Sequence, residues 1–442
     1  MSLLGSGIIK VNTKTEIILP LVAVEIARLL GVNDRIMFML IVAYFVVIIW
    51  QARKIIIPKI YGLIPLIIFL VYGTFLGIAF RDFRVVTRDL YYYVPTLLII
   101  VIGYFIEKNF ENKSIEKTLL VIGAIIAING IISTLLLGSQ MLDLSTLRTA
   151  MGEGVRENCA IFALLFVNKI IGGKIYFSKS IDNVITALIV FQIVMSFGRT
   201  NVLLGGVIIV SSMLLGILTN NKQITNIVKK VAIWIVLMIA IVFAIYRFTP
   251  EDVLEEYGEK WENTSSELNA NQEFKSTSDA MGNWRAYEIK CAQKQWRKAN
   301  PLVEIFGDGL GKGVKVEYVP YTWEETLYEN SLPILHNGYY MILPKGGLFG
   351  VFALIWFFLS GTIVLIRQRK KKKNVVQDML LLAVLGWMML ACSYVLSGMA
   401  AQSFSLAFGL LVGSLNYKIR SAGSNDDVKE TSDTSIEEKV NA

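Results

Sequence analysis

The 442-residue chain contains a single histidine, His336, in the run His336-Asn337-Gly338-Tyr339-Tyr340, ahead of Pro344-Lys345-Gly346-Gly347. An imidazole titrates near neutral pH, so it can take a proton from a hydroxyl as a general base. The second set of chemistry-bearing residues is arginine. Arg35, Arg81, Arg84, Arg88, Arg148, Arg156 and Arg199 fall in short segments that carry no lysine. A planar guanidinium grips phosphate oxygens through paired hydrogen bonds, which the point charge of lysine does not reproduce. Arg199 stands in Ser196-Phe197-Gly198-Arg199-Thr200, and Arg285 in Gly282-Asn283-Trp284-Arg285-Ala286-Tyr287, with Gly307-Asp308-Gly309-Leu310-Gly311 beyond it. The plainer reading of these arginines is snorkelling at helix ends or pairing with Asp82, Asp89 and Glu157. Taken as a set, they point to an anion site. The glycine cluster reads as a tight turn or an anion-binding nest. One histidine excludes a His-rich metal site. Cys159, Cys291 and Cys392 offer neither zinc spacing nor a disulfide framework.

Membrane-spanning helices must position these residues. The sequence is 54% hydrophobic and 18% charged, where a soluble domain carries about a quarter charged residues. Apolar runs of about 20 residues, the length that crosses hydrocarbon, recur along the chain. Twelve candidate spans are read at 16–32, 36–51, 60–80, 90–106, 118–138, 156–173, 182–198, 201–219, 230–249, 347–366, 375–397 and 399–416. The first holds Glu25 and Arg28 at a spacing that pairs them on one helix face. His336 to Ile366 is too long for one simple span, and Pro344 with the two glycines breaks it into a short helix and a full span. Lysines fall in alternate loops, which assigns those loops and both termini to the cytoplasm. The net charge of +8 therefore reports topology rather than nucleic-acid binding. Residues 250–335 form one large extracytoplasmic cap loop between spans 9 and 10, with helices expected near 251–262 and 279–299. The expected organisation is all-α: spans 1–9 in 1–249, the cap in 250–335, a short outer helix and spans 10–12 in 336–416, and a disordered cytoplasmic tail in 417–442.

The three stretches around Arg199, Arg285 and His336 together resemble the O-antigen ligase/polymerase superfamily of bacterial envelope glycosyltransferases. The shared pattern is a Ser-x-x-Arg-Thr element opening a span (Ser196, Arg199, Thr200), then an Arg-containing stretch in the large loop running to a Gly-x-Gly (Arg285 to Gly311). A His-Asn-x-Tyr element (His336, Asn337, Tyr339) then opens a glycine-broken span. The resemblance covers roughly 185–366. It departs from the family at Lys345, where an acidic residue is common, and Tyr287 with Trp296 matches the aromatic positions loosely.

The resemblance implies a metal-independent glycosyltransferase of the bacterial cytoplasmic membrane that needs no cofactor. Its donor and acceptor would be undecaprenyl-pyrophosphate-linked oligosaccharides within membrane lipid. A chain-length regulator is a candidate partner, and nucleic acid is not one. By the same resemblance, His336 is the general base, and Arg199 and Arg285 clamp the pyrophosphate. Arg88, Arg156, Arg81, Asn337 and Tyr339 would contact the pyrophosphate or sugars, with Asp82 or Asp89 as alternative bases. Trp261, Trp284, Trp323 and Tyr321 are offered either to the sugars or to the cap's own core. The Ile- and Lys-rich composition favours a polymerase of capsular, O-antigen-like or other surface polysaccharide. The alternatives are a ligase passing glycan to a lipid or protein acceptor, and, from another class, a flippase or secondary transporter. A transporter would show matching halves and charges near mid-bilayer.

Overall fold

A computed structural model describes residues 18–52, 58–109, 115–137, 143–152, 154–171, 173–219, 224–248, 251–264, 267, 269, 271–319, 331–400 and 406–422. The protein is all-α, with 83% of the described residues helical. In chain order the bundle contains α1 (Ile18–Leu29), α2 (Asp34–Ala52), α3 (Leu63–Phe80), α4 (Phe83–Asn109), α5 (Ile115–Leu136), α6 (Leu144–Gly152), α7 (Val155–Ile171), α8 (Lys179–Met195), α9 (Arg199–Thr219) and α10 (Ile224–Phe248). The cap carries α11 (Glu251–Glu262), α12 (Thr277–Gly282), α13 (Trp284–Arg297) and α14 (Pro301–Phe306), with a two-residue antiparallel pairing of β1 (Val314–Lys315) and β2 (Ser331–Leu332). The chain then returns to the bundle through α15 (Gly338–Gln368), α16 (Lys373–Val395) and α17 (406–422).

Among the described residues, six helices are long and apolar enough to cross a membrane: α3, α4, α5, α9, α15 and α16. Their outward faces are apolar. Ile64, Ile68 and Phe75 on α3 and Ile233, Val236 and Phe243 on α10 are all exposed, an arrangement that suits lipid and not water. The protein is a multi-pass membrane protein. Tight packing uses small residues, as it must where lipid removes the hydrophobic drive between helices. A Cβ on Gly103 of α4 would lie 2.8 Å from the Leu410 Cα of α17.

The break expected in the span after His336 is present. Gly347 has φ 59° and ψ −158° inside α15, a conformation that glycine reaches and L-residues do not. Two expectations differ from the structure. The single helix read over 279–299 is two, because Gly282-Asn283 interrupts it and Asn283 leaves helical geometry at φ −130°, ψ 47°. Residues 417–422, expected to be tail, belong to α17, with Ile419 buried and Lys418 paired to Glu116; the rest of the expected tail lies outside the described residues.

Candidate functional site at the cap end of the bundle

His336 precedes α15, and its neighbours fix it there. The Asn337 Oδ1 accepts from the amides of Tyr339 and Tyr340 at 3.1 and 3.2 Å, the geometry of an N-cap. The Asn337 Nδ2 donates to the Tyr394 carbonyl at 2.8 Å, and the Tyr339 hydroxyl donates to the Leu390 carbonyl at 2.9 Å. Both residues thereby tie α15 to the end of α16. These contacts hold the start of α15 in place beside His336.

The partner of His336 is Glu288 of α13. Its carboxylate accepts from the His336 amide at 2.8 Å and stands 3.1 Å from the imidazole Nδ1 through each oxygen. Glu288 is 3% exposed and His336 45%. An ionised carboxylate only accepts, so this contact favours hydrogen on Nδ1, and in the neutral imidazole Nε2 is then the acceptor.

A line of charge runs on from this pair. Arg285 stands one helical turn before Glu288 and lies 3.9 Å from Glu267. The same Glu267 accepts both its hydrogen bonds from Arg199 at 2.9 Å, while Arg199 also donates to the Thr264 hydroxyl at 2.8 Å and to the Lys260 carbonyl. Burial lowers the basicity of Arg285; Glu267 and Glu288 oppose that, and Arg199 and Arg148 add to it. Three guanidiniums, Arg148, Arg199 and Arg285, are therefore close enough to influence one another. The His336–Glu288 pair and the Arg285–Glu267–Arg199 chain are distant in sequence and meet on α13, where Glu288 acts on Arg285 through charge rather than through an ion pair.

Two cavities open beside it. The larger, of about 860 Å³, is bounded by α1, α2 and α4 and reaches Ile334 and Ala400; its polar lining includes Arg28, Arg35, Arg156, Glu25 and Glu157. The smaller, of about 590 Å³, is lined by Arg28, Arg148, Arg156, Ser145, Thr149 and Asn201 among others. Arg28 and Arg156 line both. Arg28 pairs with Glu25, as their spacing predicted.

Other sequence-derived candidates sit elsewhere. Arg81 pairs with Asp308 at 3.0 Å and donates to its carbonyl at 3.2 Å. Arg88 lies near Lys345 and Tyr92, and its buried Nε has no hydrogen-bond partner among the described residues; it does not line either cavity. Asp82 accepts from the Arg84 amide at 2.7 Å at the start of α4. Asp89 is wholly buried, 2.9 Å from the Lys345 ammonium, and accepts from the Gly311 amide at 2.7 Å. Neither carboxylate is brought to His336. The glycine cluster does not present a vacant nest. The amides of Asp308, Gly309 and Leu310 donate to the carbonyls of Pro344, Lys345 and Gly73, and that of Gly311 to Asp89. The cluster thus docks the cap onto α3 and the break in α15.

Among the cap aromatics, Trp284 packs at a tilt against Tyr287 in the cap's own core, while Trp261 meets Tyr257 edge-on but stays exposed. Tyr321 and Trp323 lie outside the described residues. Glu288, Glu267 and Arg28 complete the site without having been candidates, and Arg148, one of the lysine-free arginines, joins them. The signal available in sequence was Glu288 three residues after Arg285, and Arg148 in a lysine-free segment.

No protein-family model matches the chain, and no curated protein matches it.

Proposed function

We propose that the protein is a membrane glycosyltransferase that polymerises polyprenyl-pyrophosphate-linked oligosaccharide repeat units into surface polysaccharide. In this reading twelve helices cross the bacterial cytoplasmic membrane with both termini inside, and the cap end faces outward. The observation that carries it is the Glu288-His336 pair one helical turn from Arg285, which shares Glu267 with Arg199, beside arginine-lined cavities.

The chemistry follows from that arrangement. The His336 Nε2 takes the proton of an acceptor sugar hydroxyl as its oxygen attacks the anomeric carbon of the donor. The bond from that carbon to the pyrophosphate oxygen breaks, and the pyrophosphate leaves with the electron pair. Glu288 stabilises the imidazolium as it forms. The guanidiniums oppose the negative charge that grows on the leaving group. The donor is already activated by its diphosphate, so no nucleotide sugar is required outside the cell.

The test is complementation of a strain lacking its polysaccharide polymerase. The wild-type chain should restore a ladder of long glycans, and His336→Ala, inserted at equal level, should leave single repeat units. A full ladder from His336→Ala refutes the assignment. Unpolymerised units transferred to a lipid or protein acceptor would mark the ligase instead.

A further inference from the structure

We propose that the turn joining α15 to α16 seats the anionic headgroups of phospholipids in the leaflet it adjoins. The proposal needs only that the chain spans a membrane, and it is independent of the transferase reading.

Six of the seven residues 367–373 are basic: Arg367, Arg369, Lys370, Lys371, Lys372 and Lys373. Helix α15 starts beside the cap and runs 31 residues to Gln368, so the turn lies at the far end of the bundle. Orientation in a membrane asks only for a modest excess of basic residues, and other lysines of this end serve packing. Lys418 pairs with Glu116, and Lys174 stands 4.0 Å from the same carboxylate. Lys230 donates to the carbonyls of Lys169 and Ile170 at 2.8 and 2.9 Å. In the turn, by contrast, Arg367, Arg369, Lys370 and Lys373 are exposed. Together with the half-buried Lys371, they form no ion pair or side-chain hydrogen bond among the described residues. Asp378, one turn further along α16, gathers with Lys418 and Lys174.

Helix electrostatics turn this excess into a site. Arg367 and Arg369 stand at the C-terminal end of α15, where a cation is favourable. Lys372 and Lys373 stand at the N-terminal end of the 23-residue α16, where a cation is opposed. The first turn of α16 holds no acidic residue, and Lys372 supplies no side-chain cap. The Lys371 amide donates to the Gln368 carbonyl at 3.1 Å, which closes the turn and keeps the charges of both helix ends together. Lys373 is also near enough to Lys230, at the start of α10, for their charges to oppose one another. Folding has thus brought like charge from two distant segments to one spot, an arrangement that an anion relieves. Lipid answers it better than a free anion, because apolar surface begins beside the charges. Ile366 precedes Arg367, Val228 precedes Lys229, and both are exposed. A headgroup phosphate on the lysines leaves its acyl chains along those faces. Basic clusters of this size at the end of a span attract anionic lipid, each charge multiplying affinity by about fivefold.

The experiment titrates the full-length protein, in a neutral detergent, with short-chain phosphatidylglycerol and in parallel with short-chain phosphatidylcholine, counting bound lipid by native mass spectrometry. The wild type should prefer phosphatidylglycerol by more than about tenfold, and the preference should fall as salt is raised above about 0.1 M. Lys370→Gln with Lys371→Gln should weaken phosphatidylglycerol binding by about tenfold to thirtyfold, with the thermal midpoint unchanged. Lys370→Arg with Lys371→Arg should keep it within about twofold, since the charge is retained. Should the glutamine pair insert poorly, Arg369→Gln alone should weaken binding by about fivefold. Equal binding of the two lipids by the wild type overturns the proposal, as does unchanged phosphatidylglycerol affinity in an inserted glutamine variant. Displacement of the lipid by inorganic phosphate at matching concentration would make the turn a general anion surface, and overturn it too. None of these readouts requires turnover, so failure of the transferase reading leaves a positive result standing.

Discussion

Replacing Glu288 by Gln should slow glycan transfer without unfolding the cap. The carboxylate is 3% exposed, lies 3.1 Å from the His336 Nδ1 through both oxygens, and holds the His336 amide at 2.8 Å. Gln keeps the shape and one carbonyl oxygen, so the amide hydrogen bond can persist and the thermal midpoint should stay near that of the wild type. What is lost is the negative charge facing the imidazole as it takes its proton, together with the constraint that keeps hydrogen on Nδ1. A hydrogen bond to a charged group contributes about 1.5–3 kcal/mol, which corresponds to roughly tenfold to 150-fold in rate. The assay is single-turnover extension of a lipid-linked repeat unit by purified protein, with KM measured alongside. The loss should fall on the turnover number, since Glu288 meets His336 and not the substrate. A Glu288→Gln variant retaining more than about half the wild-type rate would refute the argument that the carboxylate works through His336.

Three further outcomes are expected. Lys345→Met should strand Asp89 as a buried unpaired charge and cost about 3–5 kcal/mol; adding Asp89→Asn should recover most of it in a thermal or denaturant titration. Gly347→Ala should lower the thermal midpoint and yield, because φ 59° is strained for alanine and its Cβ would run into the backbone of Ile305 in the cap. Burial alone would raise the Asp308 carboxyl, but Lys312 and Arg81 outweigh it and hold it below the ordinary range. Its folded value is depressed, so its contribution to cap docking is full above about pH 4 and is lost as pH falls through that lower value. Limited proteolysis should find the cap loosened in that acid window, and Asp308→Asn should show the loosening at neutral pH with little further change on acidification.

The features legible in sequence were local ones. Pro344 with Gly346-Gly347 marks the broken span because no ordinary helix accommodates that trio. Glu25 and Arg28 sit one turn apart, so their pairing needs only a helix. The stretch from Arg285 reads as amphipathic, and Ala286, Ile289 and Ala292 are indeed its buried face. What remained hidden depends on tertiary packing. Glu288 meets His336 across 48 positions and Lys345 meets Asp89 across a still longer separation, and no spacing rule encodes such partners. Arg81 looked like the other lysine-free arginines, yet the docking of the glycine cluster puts Asp308 against it. Arg28 looked spent on Glu25, but the approach of α1 to α7 leaves it lining both cavities. Composition selects residues able to bind an anion, while packing decides which of them face one another and which face a chamber.

The most direct measurement is reconstitution of the purified protein in vesicles with a polyprenyl-pyrophosphate-linked repeat unit as sole substrate, following glycan length and released polyprenyl pyrophosphate together. The account predicts a ladder of products with one polyprenyl pyrophosphate freed per bond formed, and neither product from His336→Ala. Equal turnover by His336→Ala, or passage of the lipid-linked unit across the bilayer with no bond formed, would contradict it.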